Sequence, residues 1–261
     1  MIVNANHNDK TAFVTKTFLS FVRFGDYLAA VEQNIQYLNE SGLNGFRQFV
    51  GTFDSAGAKR IVLAHRKRYE RDMSTLCRYS SLTALYSLFE VSCRGFEADF
   101  RKTHSGKKPL EHFLKQRPPI GFVHAFRQWL ESSPDSVNLP QNRVWNQLQD
   151  FQIIRNCIVH GHGDSKLSNN PKRTKAVISR THKVILNPSG ILVIQQEFTF
   201  EVMDRISAFF QRLFNVSGYQ MQTPPGYSEM FTKQFAGHEA EIASRIKQYY
   251  LEKEINLGGQ L

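Results

Sequence analysis

The hydrophobic pattern of the chain is mainly that of amphipathic helices, because apolar side chains recur three or four positions apart through most of it. Residues 11–39 follow this spacing, with an interruption at Gly25 and a stop near Gly42. The pattern predicts two helices or one kinked helix there. Residues 45–59 hold glycine and serine at several positions and predict a loop.

The strongest helical pattern lies in residues 60–101. In its second half, the large apolar side chains fall on one side of a helix, which predicts the main core helix of the protein. These side chains are Leu82, Leu85, Tyr86, Phe89, Cys93, Phe96 and Phe100. A polar segment containing Gly106 ends the helix.

Shorter elements follow in the rest of the chain. Helical spacing predicts helices over residues 121–131, 141–160 and 201–214, and a further amphipathic helix over residues 239–253. Two short apolar runs on either side of a turn at residues 187–190 predict a β-hairpin. We therefore predict a mainly α fold, a helical bundle with a small β-hairpin and a C-terminal helical appendage.

The pattern divides the chain into three parts. They are an N-terminal helical extension (residues 1–59), a helical domain (residues 60–215) and the C-terminal appendage (residues 216–261). Apolar residues make up 41% of the sequence, which is enough for a substantial core. No internal repeat or low-complexity tract is visible in the sequence.

The charge balance favours a polyanionic partner. Lysine and arginine total 33 against 23 acidic residues, a formal net charge of +10. This excess does not separate RNA from DNA or from an anionic membrane surface. No stretch of about 18 uncharged apolar residues occurs, and the N-terminus lacks the pattern of a signal peptide. We therefore expect a cytoplasmic protein that does not enter a membrane.

The cysteines indicate neither a disulfide framework nor a zinc site. Cys77, Cys93 and Cys157 are odd in number, widely spaced and embedded in apolar helical patterns. We predict buried free thiols at these positions, because cysteine is among the residues most often buried. No metal and no other cofactor is expected.

The helix predicted over residues 141–160 carries an anomaly. Its apolar side chains occupy a sector of roughly 120° at the helical angle of about 100° per residue. They are Val144, Leu148, Phe151, Ile154 and Ile158. Arg155 falls in the middle of this sector, where a guanidinium is costly unless it has hydrogen-bonded partners or opens onto a polar cavity.

Two further polar residues of the same helix share one face. Asn156 and His160 are four positions apart, with Trp145, Gln149 and Gln152 nearby on that side. Such a strip suits an interface with enclosed polar chemistry. Taken singly, an arginine in such a stripe is more often part of a structural ion pair, and a single histidine is more often a satisfied core or capping residue.

Together these residues form the string Arg155-Asn156-Cys157-Ile158-Val159-His160, which resembles the R-N-x-x-x-H form of the HEPN family motif. The resemblance extends over approximately residues 60–214, because the family is a helical bundle with its motif near the end of a late helix. It implies a metal-independent endoribonuclease, usually a homodimer with two motifs in one composite cleft. Stand-alone members commonly act as toxins or in antiviral defence, and this implies an antitoxin or defence-system partner.

The resemblance also implies roles for individual residues. RNA is cleaved when a 2′-hydroxyl attacks the adjacent phosphate, with His160 as general base or acid and Arg155 stabilising the phosphorane. Asn156 orients the imidazole or the phosphate. Several members carry an acidic or polar residue on the earlier core helix, and here Glu90 is the candidate partner of Arg155. His162 stands where members modified by a partner nucleotidyltransferase have tyrosine, so it is a candidate secondary contact or part of the turn.

A basic segment follows the motif within a predicted polar loop over residues 164–175. Its charges are candidate contacts for an RNA backbone or simply a solvated face. They are Lys166, Lys172, Arg173 and Lys175. Two other functions stay open: a non-catalytic HEPN-like module that binds nucleic acid, a nucleotide or a protein, and a plain helical adaptor whose motif is coincidental.

Overall fold

The protein is mainly helical, with one small antiparallel hairpin. The computed structural model describes residues 5–116, 121–132, 135–139 and 142–219. Its elements in chain order are α1 (Ala5–Gly51), α2 (Ala56–Thr103), α3 (Leu110–Leu114), α4 (Phe122–Glu131), α5 (Asn142–Gly161), α6 (Pro171–Arg180), β1 (Val184–Leu186), β2 (Leu192–Ile194) and α7 (Gln196–Val216). In the hairpin Val184 lies opposite Ile194. The predicted mainly α fold with a β-hairpin is confirmed.

The core is built largely from aromatic rings of α2, α4, α5 and α7. Phe89 of α2 packs against Phe122 of α4 and against Phe209 and Phe210 of α7, with ring centroids 6.0 to 6.1 Å apart. The apolar face predicted for α2 is buried along its whole length, from Leu82 to Phe100. This prediction is confirmed, and the face positions α5 because it forms the surface on which that helix packs.

The first helix differs from its prediction, since α1 continues without a break through Gly25 and Gly42 to Gly51. Its buried apolar side chains are spaced seven residues apart, which keeps one seam of the helix facing its partners. They are Val14, Phe21, Leu28 and Ile35. Gly25 marks a close approach rather than a break, because a Cβ there would lie 3.4 Å from the Cε atom of Met203 in α7.

A second difference is α6, which begins inside the predicted loop. The Asn170 side chain accepts a hydrogen bond of 3.0 Å from the backbone amide of Arg173, and Pro171 occupies the first turn. An asparagine cap followed by proline is a strong start signal for a helix. The helix is polar on average, so its apolar spacing was too weak to predict it.

The remaining predictions stand as follows. Cys77, Cys93 and Cys157 are free thiols, the first half-buried and the other two buried. Within the described ranges, no helix has the length and apolar character needed to cross a membrane. The described residues all belong to one compact unit, Met1–Gln220. The predicted helix over residues 239–253 lies outside the described residues, and the three domain boundaries stay predictions.

Candidate functional site

Arg155 is held in place by its neighbours. Its Nη1 atom donates a 3.0 Å hydrogen bond to Oδ1 of Asn156, and its guanidinium carbon lies 5.0 Å from the centre of the Tyr86 ring. Tyr86 is placed there by Phe151, one helical turn before Arg155, whose ring packs edge-on against it at 5.3 Å. The Nε atom is buried and has no acceptor in the described part of the chain. The arginine is therefore oriented but incompletely hydrogen-bonded.

Glu90 acts on the same tyrosine rather than on the arginine. Burial raises the pKa of the Tyr86 phenol, the negative charge of Glu90 raises it further, and the positive charge of Arg155 opposes the rise. The hydroxyl lies close to Glu90 but makes no hydrogen bond of acceptable geometry to any described residue. Among the described residues Glu90 and Arg155 form no ion pair, so the partner predicted for Arg155 is replaced by an amide oxygen and an aromatic face.

His160 lies one turn beyond Asn156, in the last turn of α5, and its side chain is exposed. Asn156 is half-buried. Across the described ranges, no hydrogen bond or ion pair joins His160 to Arg155 or Asn156. The helix thus brings a fixed guanidinium and a freely accessible imidazole to the same end of α5. An accessible imidazole is suited to proton transfer, since it can reach a bound substrate directly.

Part of the predicted polar strip is occupied within the chain. Trp145 is only 1% exposed and packs against Phe209 of α7, with ring centroids 5.2 Å apart. The Oε1 atom of Gln152 accepts a 3.3 Å hydrogen bond from the backbone amide of Val123 in α4. The expectation that these two side chains face an interface was wrong, because α4 and α7 cover that side of the helix. Gln149 is half-buried.

The turn after the motif is anchored to two other elements. His162 and Gly163 both have positive φ angles, 51° and 82°. The Gly163 amide donates to the carbonyl of Cys157, and the Gly163 carbonyl accepts from the amide of Leu192 in β2 at 2.8 Å. The hydroxyl of Tyr79 in α2 donates to the Leu192 carbonyl at 2.5 Å. This network fixes the C-terminal end of α5, while the His162 side chain stays exposed.

Gly163→Ala is expected to destabilise the fold by about 2–4 kcal/mol, because it adds backbone strain at positive φ to a steric clash. A Cβ there would overlap the Tyr79 hydroxyl and lie 2.6 Å from its Cζ atom. Denaturant unfolding followed by circular dichroism measures the loss.

Two alanine variants serve as controls for the two causes. Gly218 has a φ of 72° but nothing within 4 Å of an added Cβ, so Gly218→Ala isolates the strain and is expected to cost about 1 kcal/mol. Gly51 lies at the end of α1 and has neither feature, so Gly51→Ala is expected to be neutral or slightly stabilising. An equal loss for Gly163→Ala and Gly218→Ala would contradict the clash.

The predicted RNA-contacting residues are all exposed, and three of them lie on α6. They are Lys166, Lys172, Arg173 and Lys175. Lys166 precedes the helix, and its backbone amide donates a 2.8 Å hydrogen bond to Oδ1 of Asp164, which therefore caps the loop. None of the four side chains makes an ion pair within the described ranges, so their charge is not neutralised locally.

Within the described residues, no group of three or more histidine, cysteine or acidic side chains is arranged to hold a metal ion. Comparison of the chain with protein-family models, with curated proteins and with solved structures found no match. The case for a function therefore depends on the geometry of the motif and its surroundings.

Sequence reasoning missed the aromatic contact of Arg155. Tyr86 was placed on the buried face of α2, but nothing in the pattern pairs a position on α2 with one on α5. It also missed Arg143, Arg180 and Arg205, which line cavities beside α5. These three arginines come from three different helices, and only the packing of α5, α6 and α7 brings them together.

Proposed function

We propose that the protein is a metal-independent endoribonuclease of the HEPN kind. The observation that carries the proposal is the pairing, on one helix end, of an oriented arginine with an exposed histidine one turn away. The buried and unpaired Nε of Arg155 supports it, since such donors are rare in native folds and a bound anion is one explanation for them. The anchored turn at Gly163 keeps this geometry fixed.

The proposed reaction needs two proton transfers and no water. A base removes the proton of an RNA 2′-hydroxyl, and the oxygen attacks the adjacent phosphorus. The bond from phosphorus to the 5′ oxygen then breaks, and an acid protonates that oxygen. The products are a 2′,3′-cyclic phosphate and a 5′-hydroxyl. His160 moves the protons, Arg155 stabilises the charge on the phosphorane, and Asn156 holds the guanidinium in position.

A homodimer adds a second imidazole that can serve as the acid, while a single His160 can also fill both roles in turn, because the proton it removes can be returned to the 5′ oxygen. Two apolar side chains near the motif support an interface there: Val159 is 37% exposed and Leu167 is 64% exposed. The Leu167 Cβ atom lies 3.6 Å from the position that a Cβ on Gly161 would take, so it adjoins the end of α5. A two-fold axis beside this end places two copies of His160 in one cleft.

The proposal includes the biological setting. We infer that the protein is a toxin or antiviral-defence ribonuclease of the cytoplasm, which acts on cellular RNA and is controlled by an antitoxin or defence-system protein. The exposed His162 and the basic side chains of α6 are secondary contacts for the substrate.

One observation favours a second candidate, a non-catalytic module. The guanidinium of Arg155 already has an amide oxygen and an aromatic face, which is the environment of an arginine that stabilises a helix pair. In that case the basic surface binds nucleic acid, a nucleotide or a partner protein without cleaving it.

The decisive experiment incubates the purified protein with total RNA in excess EDTA and analyses the ends of the products. We expect cleavage to persist at an unchanged rate and to leave cyclic-phosphate or 3′-phosphate ends with 5′-hydroxyls, because the 2′-oxygen is the nucleophile. Strict magnesium dependence with 5′-phosphate products contradicts this chemistry. Binding of RNA without any cleavage favours the non-catalytic module.

A further inference from the structure

Three adjoining cavities lie near the half of α5 away from its motif end, and α5 itself lines two of them. The first, of about 250 Å³, is enclosed by α5, the end of α6 and α7, and Phe151 and Phe198 contribute to its lining. A second, of about 160 Å³, shares Val144, Gln147 and Arg205 with it and continues towards the start of α5. A third, of about 650 Å³, adjoins the first on the other side, through the segment from Arg180 to His182 at the end of α6. Together they make one groove.

The groove is basic. Its cationic side chains come from α5, α6, α7 and the segment after α6, and we call them the basic groove residues. They are Arg143, Lys175, Arg180, His182, Lys183, Arg205 and Arg212. The acidic side chain that lines the same cavities is Asp150, and it is bound by both Nε and Nη2 of Arg180. One lining carboxylate therefore faces six basic side chains and a histidine.

Several of these charges are not neutralised. Arg205 lies 3.4 Å from Glu201, which also forms an ion pair with Lys183. In the part of the chain that the structure describes, Arg143 and Arg212 form no ion pair with any carboxylate. Both are exposed. Basic side chains without a carboxylate partner attract anions, and Arg143 and Arg212 supply such charge at this groove.

The groove leads from the proposed active site. Gly161 lies beside residues 167 and 168, and α6 then returns along α5 until Arg180 reaches Asp150. The helix that runs between the motif end of α5 and the cavities thus carries exposed basic side chains. Arg143 precedes His160 by 17 positions, which corresponds to about 25 Å along the helix axis.

The two cavities between α5 and α7 are smaller than the roughly 300–1,000 Å³ of typical ligand pockets, and the third, of about 650 Å³, is the most open of the three. The aromatic rings that contribute to the cavity walls are each at most 3% exposed, so contacts to a bound strand come from the basic rim; they are Phe151 and Phe198 in the first cavity and Trp145 and Phe209 in the second. A positively charged groove that follows the backbone is a common feature of sites for single-stranded nucleic acid.

We propose that this basic groove binds the backbone of single-stranded RNA extending from the motif end of α5 towards Arg143. The inference rests on the proposed function, because it names where the substrate strand lies. A stacked strand advances about 3.4 Å per nucleotide, so about seven nucleotides span the distance from His160 to Arg143. Arg143, Arg205 and Arg212 contact phosphates, while His160 lies at the phosphodiester bond that is cleaved.

The test measures binding, not cleavage, on the full native chain. The probe is a fluorescent 12-nucleotide 2′-O-methyl RNA, which lacks the attacking hydroxyl, and the variant is Arg143→Gln with Arg212→Gln. Neither arginine belongs to an ion pair in the described chain, so the fold is expected to tolerate the change. Loss of two phosphate contacts is expected to weaken binding about 25-fold at 0.1 M salt and to lower the salt slope by about 1.4.

The matched control is Lys108→Gln with Lys115→Gln, which removes the same charge at exposed positions that line none of these cavities. It is expected to change the affinity less than threefold. Equal losses in the two double variants, no loss in the groove variant, or an equal loss for a duplex of the same length would each overturn the proposal. The proposal would also be overturned if the groove variant lost affinity for anionic vesicles but kept its affinity for the RNA probe.

The binding test of the groove and the cleavage test of the nuclease can fail independently of each other. If the native chain cleaves no RNA but the groove variant binds the probe 25-fold more weakly, the groove stands and the nuclease does not. If the chain cleaves RNA and the groove variant binds the probe as tightly as the native chain, the nuclease stands and the groove does not.

Discussion

His160→Ala is expected to slow RNA cleavage about 10²- to 10⁴-fold, the range that a general acid or base contributes. The side chain is exposed and contacts no described residue through a hydrogen bond, so its removal is expected to change the free energy of unfolding by less than about 0.5 kcal/mol. Initial rates on a fluorogenic RNA measure the first effect. The melting temperature and light scattering show that the variant is folded and has the native oligomeric state.

The matched control is His162→Asn, two positions further on. His162 is also exposed but has a φ of 51°, and asparagine tolerates that conformation better than alanine does. We expect a loss of less than tenfold, as for a secondary contact. Unchanged cleavage by His160→Ala removes this residue from the mechanism. An equal loss in both variants points to the turn rather than to one imidazole.

The sequence predicted the core more accurately than the ends of the helices. The face of α2 from Leu82 to Phe100 is buried as its spacing predicted, because burial of large apolar side chains dominates the choice of packing face. Gly25 was read as a break in α1, but the helix passes through it. Tertiary packing overrides the low helix propensity of one glycine, which costs only about 1 kcal/mol.

The hairpin and α6 show what local signals can and cannot predict. The turn at residues 187–190 has its own chemistry, since Oδ1 of Asn187 accepts from the amides of Ser189 and Ile191, and the hairpin was predicted from it. The start of α6 carries an equally local signal in Asn170 and Pro171. The sequence pattern nevertheless predicts a loop here, because the surrounding residues are polar and basic.

The sequence predicted the positions of the candidate residues on α5, but not which side chains of other helices they contact. A helical projection places Arg155 in the apolar sector of α5, and the structure does bury part of it. The projection does not show which side chains of a neighbouring helix lie beside Arg155. An acidic partner was expected from Glu90, whereas the packing of α2 on α5 brings the ring of Tyr86 to the guanidinium. Trp145 was misplaced for the same reason, since α7 covers it.

Arg155→Met is expected to reduce cleavage about 10²- to 10³-fold while changing the free energy of unfolding by less than about 1.5 kcal/mol. Methionine fills much of the same space and stays in contact with the Tyr86 ring, and it also removes the buried Nε that has no acceptor. Replacing a partly satisfied buried charge by an apolar side chain of similar volume is often neutral. The loss of activity, expressed as a free energy, is therefore expected to exceed the loss in the free energy of unfolding.

The control is Asn156→Ala, which leaves the guanidinium in place without its amide acceptor. It is expected to cost about 1–3 kcal/mol of stability, because Nη1 loses its partner, and to lower the cleavage rate less than Arg155→Met does. Chemical denaturation and single-turnover cleavage separate the two quantities. A folded Arg155→Met protein with full activity would show that the arginine only stabilises the helix pair.

Mixing the two inactive chains tests whether the active unit is a dimer. Arg155→Met and His160→Ala chains are unfolded together, refolded and assayed, and native mass spectrometry gives the fraction of mixed dimers. A mixed dimer retains one Arg155 and one His160, so partial activity in proportion to that fraction is expected if one of each suffices in the composite cleft. A mixture that stays inactive fits both a cleft that needs two copies of each residue and an active monomer, and the mass of the active native species distinguishes these two cases. An active native species that remains monomeric in light scattering at the assay concentration contradicts the dimer directly.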